Sequence, residues 1–366
     1  MKHLYRLSTG SNSQNGAALV YVAILLVALL GVTALAVDVG YMMVVRNQLQ
    51  NAADAAALAA ARKLGAIYEP MTYAQQQSYV CTPTDLSSVA QAIALENLAG
   101  LESVDVLASD VLIGKWDSTT HTWAQTTLAQ PDAVSVTARR DDTVPDGPIP
   151  RMFGVVFRYF GNAAKGISIS ATATAALTGQ GSSVLAGLPI PVGISQNWFD
   201  RGWACGDHIQ FYPTASCAGW HNFFDDTNTP SLRRTLDGIR DGTFQSPPLF
   251  AGVSILNFTG GVSASLFNNN LLPLFDTMRV KNDGVLDRDT DPLTWTTTVV
   301  VYEEAGSCGN PNQAIKIVGF TTIVISAIVG PSSKDIVGSV LCDSYQPGRG
   351  GGGNYGTMGT IPGLVR

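Results

Sequence analysis

Residues 17–37 are 21 consecutive uncharged and mostly apolar positions. The run passes without a break into an alanine-rich stretch, Gln48-Leu-Gln-Asn-Ala-Ala-Asp-Ala-Ala-Ala-Leu-Ala-Ala-Ala-Arg62. A helix of the first length measures about 30 Å at 1.5 Å per residue, the thickness of a bilayer core. No proline lies between Ala17 and Ile67, and glycine stands only at Gly31, Gly40 and Gly65, so one helix is predicted to continue past the membrane edge. Lys2 and Arg6 precede the run and the first charge after it is Asp38, which puts the N-terminus in the cytoplasm and the bulk of the chain outside. The competing reading is a cleaved secretory signal, with Ala34-Leu35-Ala36 as the small-x-small site and a mature chain starting at Val37. The length of the apolar run and the uninterrupted helix pattern favour a retained anchor.

Beyond the span, Val45, Leu49, Ala52, Ala56, Ala59 and Lys63 recur at helical spacing. Alanine is the best helix former, and a stripe of small residues lets another element approach closely. Leu49, Ala52, Ala56 and Ala59 therefore form a helix-packing surface, either for partner helices or for the chain's own domain. Pro70 and the polar residues 75–78 end the helix. A second helix is predicted over residues 85–98, capped by Asp85, with Leu86, Val89, Ile93 and Asn97 on one face. Strands follow over 111–116, 122–127 and 133–139, the first two joined by a turn at 117–121. Pro150 opens a short amphipathic helix with Phe153, Val156, Phe157 and Phe160 on one side. Residues 167–175, Ile-Ser-Ile-Ser-Ala-Thr-Ala-Thr-Ala, alternate strictly and predict a strand with one apolar and one hydroxylated face. The result is an αβββαβ unit over residues 80–180, its two helices covering a four-stranded antiparallel sheet.

Residues 179–187 read as a small-residue linker. Strands are then expected over 190–194, 209–212, 296–302, 314–329 (broken at Gly319) and 336–341, with one helix over 232–241. The apolar stretch 317–330 is too short and too β-branched for a second span and reads as buried strand. The tail from 346 to 366 is glycine-loaded and is expected to have little regular structure.

Charged residues make up 14 % of the chain and the net charge is −6, which offers no basic patch to nucleic acid. The blocks Gly16-Ala-Ala-Leu-Val20, Leu29-Leu-Gly-Val-Thr-Ala-Leu-Ala-Val-Asp-Val-Gly-Tyr41 and Arg46-Asn-Gln-Leu-Gln-Asn-Ala-Ala-Asp-Ala-Ala-Ala-Leu-Ala60 closely resemble the N-terminal domain of TadG-like proteins of bacterial Flp (Tad) pilus-assembly systems. The resemblance covers about 50 of the 366 residues. It implies an inner-membrane protein with an exported C-terminal part that works among pilus machinery, and it implies no enzyme. Tyr21 stands where prepilin-like relatives place a glutamate after the processing glycine, so processing by a prepilin peptidase is not implied. The Asp-x-Ser-x-Ser metal motif of longer TadG-like proteins is absent; Asp117-Ser-Thr-Thr departs from it.

Five cysteines stand at 81, 205, 217, 308 and 342. In an exported region Cys205–Cys217 and Cys308–Cys342 are the disulfides that spacing suggests, each worth roughly 3 kcal/mol on the chain-entropy account, with other pairings open. Cys81 is left over as a free thiol or an intermolecular link. Cys205, His208, Cys217 and His221 could instead hold a tetrahedral zinc, although oxidation is the commoner fate outside the cytoplasm. Asp287, Asp289 and Asp291 alternate in a turn that could ligate calcium; the absent glycine and glutamate of a calcium loop favour a solvated acidic turn. No nucleophile elbow, His-Glu-x-x-His or phosphate-loop lysine occurs. The six tryptophans could form an adhesive surface but are more simply core residues.

These residues predict an α+β chain: cytoplasmic residues 1–16, a transmembrane helix 17–37, an alanine-rich stalk 38–67, an exported α+β domain 80–180, a β-rich exported domain 188–345 and a glycine-rich tail 346–366. Its expected function is scaffolding without catalysis or cofactor, with the membrane and other pilus-assembly proteins or pilin-like helices as partners. A minor pilin or adhesin that joins the fibre, and a signal-cleaved secreted binding protein or hydrolase, are the alternatives.

Overall fold

The computed structural model describes residues 14–151, 166–201, 206–210, 217–224, 226–279, 293–303, 311–330 and 334–366. Helix α1, Gln14–Tyr68, is 55 residues long, about 80 Å at 1.5 Å per residue. It is followed by α2 (Tyr73–Ser78), α3 (Pro83–Leu95) and a small hairpin of β1 (Leu98–Ala99) and β2 (Glu102–Ser103). Strands β3 (Val111–Asp117), β4 (Thr122–Thr126), β5 (Ala133–Arg140) and β6 (Ile169–Ala176) then form an antiparallel sheet in the order β6-β5-β3-β4. The predicted strands and the turn between the first two are all present. Asp117 closes that turn by accepting from the amides of Thr119 (2.8 Å) and Thr120 (3.1 Å).

The register explains how a helix of alanines fits this sheet. Ala175, Val134 and Ile113 stand side by side across three strands, and Ala173, Val136 and Val111 form the next row. All of them are buried with Ala52, Ala53, Ala56, Ala57, Ala60 and Ala61 of α1. Small side chains on both surfaces let the helix lie close to the strands, and α3 packs along α1 through Leu86, Ala90 and Ala94. Two expectations change here. The buried face of α3 is Leu86, Ser87, Ala90 and Ala94, not Leu86, Val89, Ile93 and Asn97, because close approach to α1 selects the alanines. Thr82 is its N-cap and Pro83 opens its first turn, with Asp85 inside that turn rather than capping it. The sheet is covered by α1 and α3; the second helix expected from Pro150 falls on residues 152–165, outside the described residues. The alternation over β6 holds: its other face carries Thr172, paired with Thr137 at 2.9 Å, and Thr174, which donates to Ser135 at 3.0 Å.

The second unit is strand-rich, as expected. It contains β7 (Val192–Ser195), α4 (Gln196–Asp200), β8 (His208–Gln210), β9 (Ala218–Asn222), α5 (Thr229–Arg240), β10 (Ile255–Thr259), α6 (Ala264–Leu266), α7 (Leu272–Met278), β11 (Trp295–Tyr302), β12 (Ala314–Val329) and β13 (Asp335–Val340). The sheet order is β10-β9-β7-β11-β12-β13-β8, and β10 also pairs with β12. Five strands thus close on themselves around a core that includes Trp198, Trp220, Phe258, Phe267, Tyr302 and Phe320. Residues 314–329 form one long strand rather than two. Near Gly319 the pairing with β11 slips by a residue, and the two ends of β12 reach different neighbours, β10 and β13.

The glycine-rich tail, expected to lack structure, is ordered and joins the two units. Strands β14 (Ser344–Arg349) and β15 (Thr357–Ile361) pair in parallel, and β16 (Gly363–Leu364) adds a fifth strand beside β6. Thr357 Oγ1 lies 2.9 Å from Thr322 Oγ1 of β12, and the Arg62 guanidinium of α1 donates to the Thr360 carbonyl at 2.9 Å. A Cβ on Gly65 would sit 1.9 Å from that same carbonyl oxygen, so only glycine permits this contact of helix and tail. Tyr345 stacks on Tyr68 at 3.9 Å.

Candidate functional site: the two halves of helix α1

Helix α1 changes surroundings once along its length. From Leu19 to Val37 its large apolar side chains stand in the open: Leu19 is 73 % exposed, Leu25 67 % and Val32 69 %. From Val45 onward one face is fully buried, through Leu49, Ala52, Ala56, Ala60, Leu64 and Tyr68. The first half is apolar on every side, which suits a non-aqueous surrounding and not the surface of a soluble domain. It is the one helix among the described residues long and apolar enough to cross a membrane. The expected stalk over 38–67 is therefore not a free-standing rod. Leu49, Ala52 and Ala56 are covered by the chain's own β5, β6 and α3, and Ala59 is half-buried at the border, so the stripe is an intramolecular contact.

The transition is braced by polar contacts. The Tyr41 hydroxyl donates to the Gly100 carbonyl (3.4 Å), and the Gly100 amide donates to Gln48 Oε1 (2.9 Å). Arg140, buried at the end of β5, donates to three backbone carbonyls: Ala99 (2.6 Å), Gly147 (2.9 Å) and Asp146 (2.9 Å). At the far end of α1, the Tyr68 hydroxyl donates to the Pro131 carbonyl (2.9 Å), next to Asp132. Burial raises the Asp132 carboxyl to about 7, although the Trp116 amide donates to it at 2.7 Å. Sequence reasoning missed Arg140 and the β1–β2 hairpin. A two-residue strand has no periodicity to read, and a lone arginine at a strand end reads as solvated.

The chemical candidates separate. His208 is exposed on the edge strand β8 and His221 is fully buried on β9, and at least three strands separate them by either route round the sheet. They cannot share one zinc. His221 is enclosed, its ring edge-on to Phe223 (4.8 Å) and Phe258 (5.4 Å), and burial pushes its pKa down to about 3. His208 Nδ1 lies 3.3 Å from Ser339 Oγ at the sheet edge. No group of three or more metal-ligating side chains occurs among the described residues. Asp287, Asp289 and Asp291 lie outside them, as do Cys205 and Cys308. Cys217 is disulfide-bonded. Cys342 is a free thiol, so the Cys308–Cys342 pairing is not made, and Cys81 is a buried free thiol. Trp116, Trp198, Trp220 and Trp295 are core residues and form no adhesive surface.

A groove of about 720 Å³ lies between the β3–β4 turn and the tail, lined by His121, Arg349 and Gly350 to Gly353 among others. Its glycine loop is not an anion cradle. The amides of Gly350, Gly351, Gly352 and Gly353 donate to Ile361 O, Thr178 Oγ1, Gly179 O and Val318 O, and so are already engaged.

The geometry thus defines a class: an apolar helical rod whose second half is embedded in an α+β head. Residues 16–63 match the family model for putative Flp pilus-assembly TadE/G-like proteins, which bears out the resemblance seen in the N-terminal blocks. The matched segment takes in both the exposed half of α1 and most of the embedded stripe. No curated protein and no solved structure matches the chain.

Proposed function

We propose that this chain is a single-pass membrane protein of a Flp/Tad-type pilus-assembly system, with α1 as its anchor and both folded units on the extracytoplasmic side. The observation that carries the reading is the exposed all-apolar half of α1 inside the segment that matches the TadE/G-like model. Such a surface is stable only when lipid or other apolar helices cover it. The role is mechanical: the embedded second half fixes the head rigidly to the anchor, and the head presents its surface to pilus-assembly partners. The disulfide at Cys217 suits an oxidising compartment. A non-catalytic role agrees with the dispersed histidines and with the engaged amides of the glycine loop.

A second reading, a minor pilin that joins the fibre, is favoured by the same rod, since an all-apolar helix also suits the inside of a helical bundle. The embedded stripe from Leu49 on is already covered, so only residues 19–44 remain for such packing. Fractionation of the full-length chain decides between the two. Recovery in membranes resistant to alkaline carbonate supports the anchor, and recovery in sheared pili supports the fibre subunit.

A further inference from the structure

The β1–β2 hairpin sits where α1 leaves its apolar stretch. Its turn residues, Gly100 and Leu101, both have positive φ, +67° and +74°. The second position of such a turn is ordinarily glycine, asparagine or aspartate, because a branched side chain in the left-handed region is strained. Leu101 is nevertheless a leucine, and it is 87 % exposed. It is also not isolated. Leu95 (49 %) and Leu98 (57 %) on the same connection, and Met43 (64 %) and Val44 (53 %) on α1, are exposed at the same end of the head. The hairpin is held there by the Gly100 contacts to Tyr41 and Gln48 and by Arg140 at Ala99.

The height of the hairpin follows from helix geometry. Gly100 lies against Tyr41, Val45 and Gln48, which stand four, eight and eleven residues past Val37, roughly 6, 12 and 16 Å along the axis. Tyrosine and glutamine side chains lean back toward the helix N-terminus, which lowers Gly100 further. The interfacial layer on each side of a bilayer is about 5–8 Å thick, so the turn lies in or just above it. An ordinary tilt of about 20° toward the hairpin lowers a turn about 10 Å from the helix axis by about 3 Å, which carries Leu101 into the interfacial layer. Tyr41 at this level is the amphipathic ring that membrane interfaces favour. The neighbouring Glu96 and Glu102 are exposed and remain in the water-rich headgroup layer.

We infer that the β1–β2 hairpin is a second membrane contact, in which Leu101, backed by Leu98 and Leu95, enters the lipid interface beside α1 and seats the head on the bilayer. The inference rests on the anchor reading of α1 and deepens it. The occupant is lipid because the apolar patch is continuous with the exposed span of the helix. The contact fixes the tilt and rotation of the head, and so the direction in which its far end points.

The test uses the full chain in vesicles of phosphatidylethanolamine and phosphatidylglycerol. A dansylalanine is placed at Leu101, at Leu26 in the middle of the span, or at Val253, which is 74 % exposed on the second unit. Nitroxide lipids carry the quencher near the headgroup or deep in the acyl chain. The expected result is blue-shifted emission at position 101 with quenching by the shallow nitroxide, quenching at 26 by the deep one, and water-like emission at 253. Water-like, unquenched emission at 101 with quenching at 26 overturns the hairpin contact and leaves the anchor standing. Loss of quenching at both overturns the anchor reading and the hairpin contact with it. As a second variant, Leu101→Gly relieves the left-handed strain and keeps the fold, and it is expected to speed amide exchange of residues 98–103 in vesicles but not in detergent. An equal change in both media overturns the contact.

Discussion

Alanine sets the distance between α1 and the sheet. Ala56 has no exposed surface and belongs to the buried cluster that also holds Ala173 and Ala175, so a larger side chain there has nowhere to go. Ala56→Leu is expected to destabilise the head by about 1–3 kcal/mol through overpacking, with a smaller effect for Ala59→Leu at the half-buried border. Thermal unfolding in detergent measures both, and equal effects would contradict the packing described. Asp132 offers a test with a sign. Its carboxyl titrates near 7 in the folded state and near 4 when unfolded. Between those values the folded state holds a proton that the unfolded state has lost, so stability falls as pH rises through that window. Asp132→Asn keeps an acceptor for the Trp116 amide and is expected to flatten this slope, leaving the variant more stable than the parent above pH 7. Parallel pH profiles of denaturant unfolding would contradict it. The stripe itself was legible in the sequence, since helical spacing of small residues marks a close contact. Which surface it meets was not, because the same stripe fits an outside helix and the chain's own strands.

Elements were legible where side chains alternate. Strands β3, β5, β6 and β12 alternate in burial over part of their length and β11 is an almost wholly buried β-branched run, and the sequence places all five within a few residues. The tail was not legible, because glycine leaves no pattern of apolar and polar positions. Its glycines are needed for contact rather than freedom: a Cβ on Gly352 would lie 2.1 Å from the Gln180 carbonyl oxygen, and one on Gly65 would strike β15. Gly65→Ala is therefore expected to lift β15 from α1 and speed amide exchange over residues 357–364, while α3 and β3 change little. Uniform acceleration across the chain would show that the tail is not a separable clasp. The weaker zinc alternative, drawn from the spacing of Cys205, His208, Cys217 and His221, fails at the histidines for a related reason. Nearness in sequence says nothing about strand order: β9 belongs to the five strands that close on themselves, and β8 is the edge strand beyond β13.

At the scale of the molecule, one helix carries two kinds of surface. Residues 19–37 are apolar and almost all exposed, Asp38 to Val44 form the transition, and residues from Val45 on form the spine of a folded head. The apolar length of the rod was readable directly from residue types. The rigid coupling of rod to head was not, since it depends on β5, β6 and the tail returning to α1 from distant parts of the chain. The account's central claim is that α1 stays in the bilayer with both units on the far side. It is tested most directly by tagging both ends of the full-length protein, then exposing spheroplasts to protease and extracting their membranes with alkaline carbonate. The account predicts that the C-terminal tag is digested, that the N-terminal tag is protected, and that the anchored fragment stays in the membrane pellet. A protected C-terminal tag, or a soluble mature protein beginning at Val37, would contradict it.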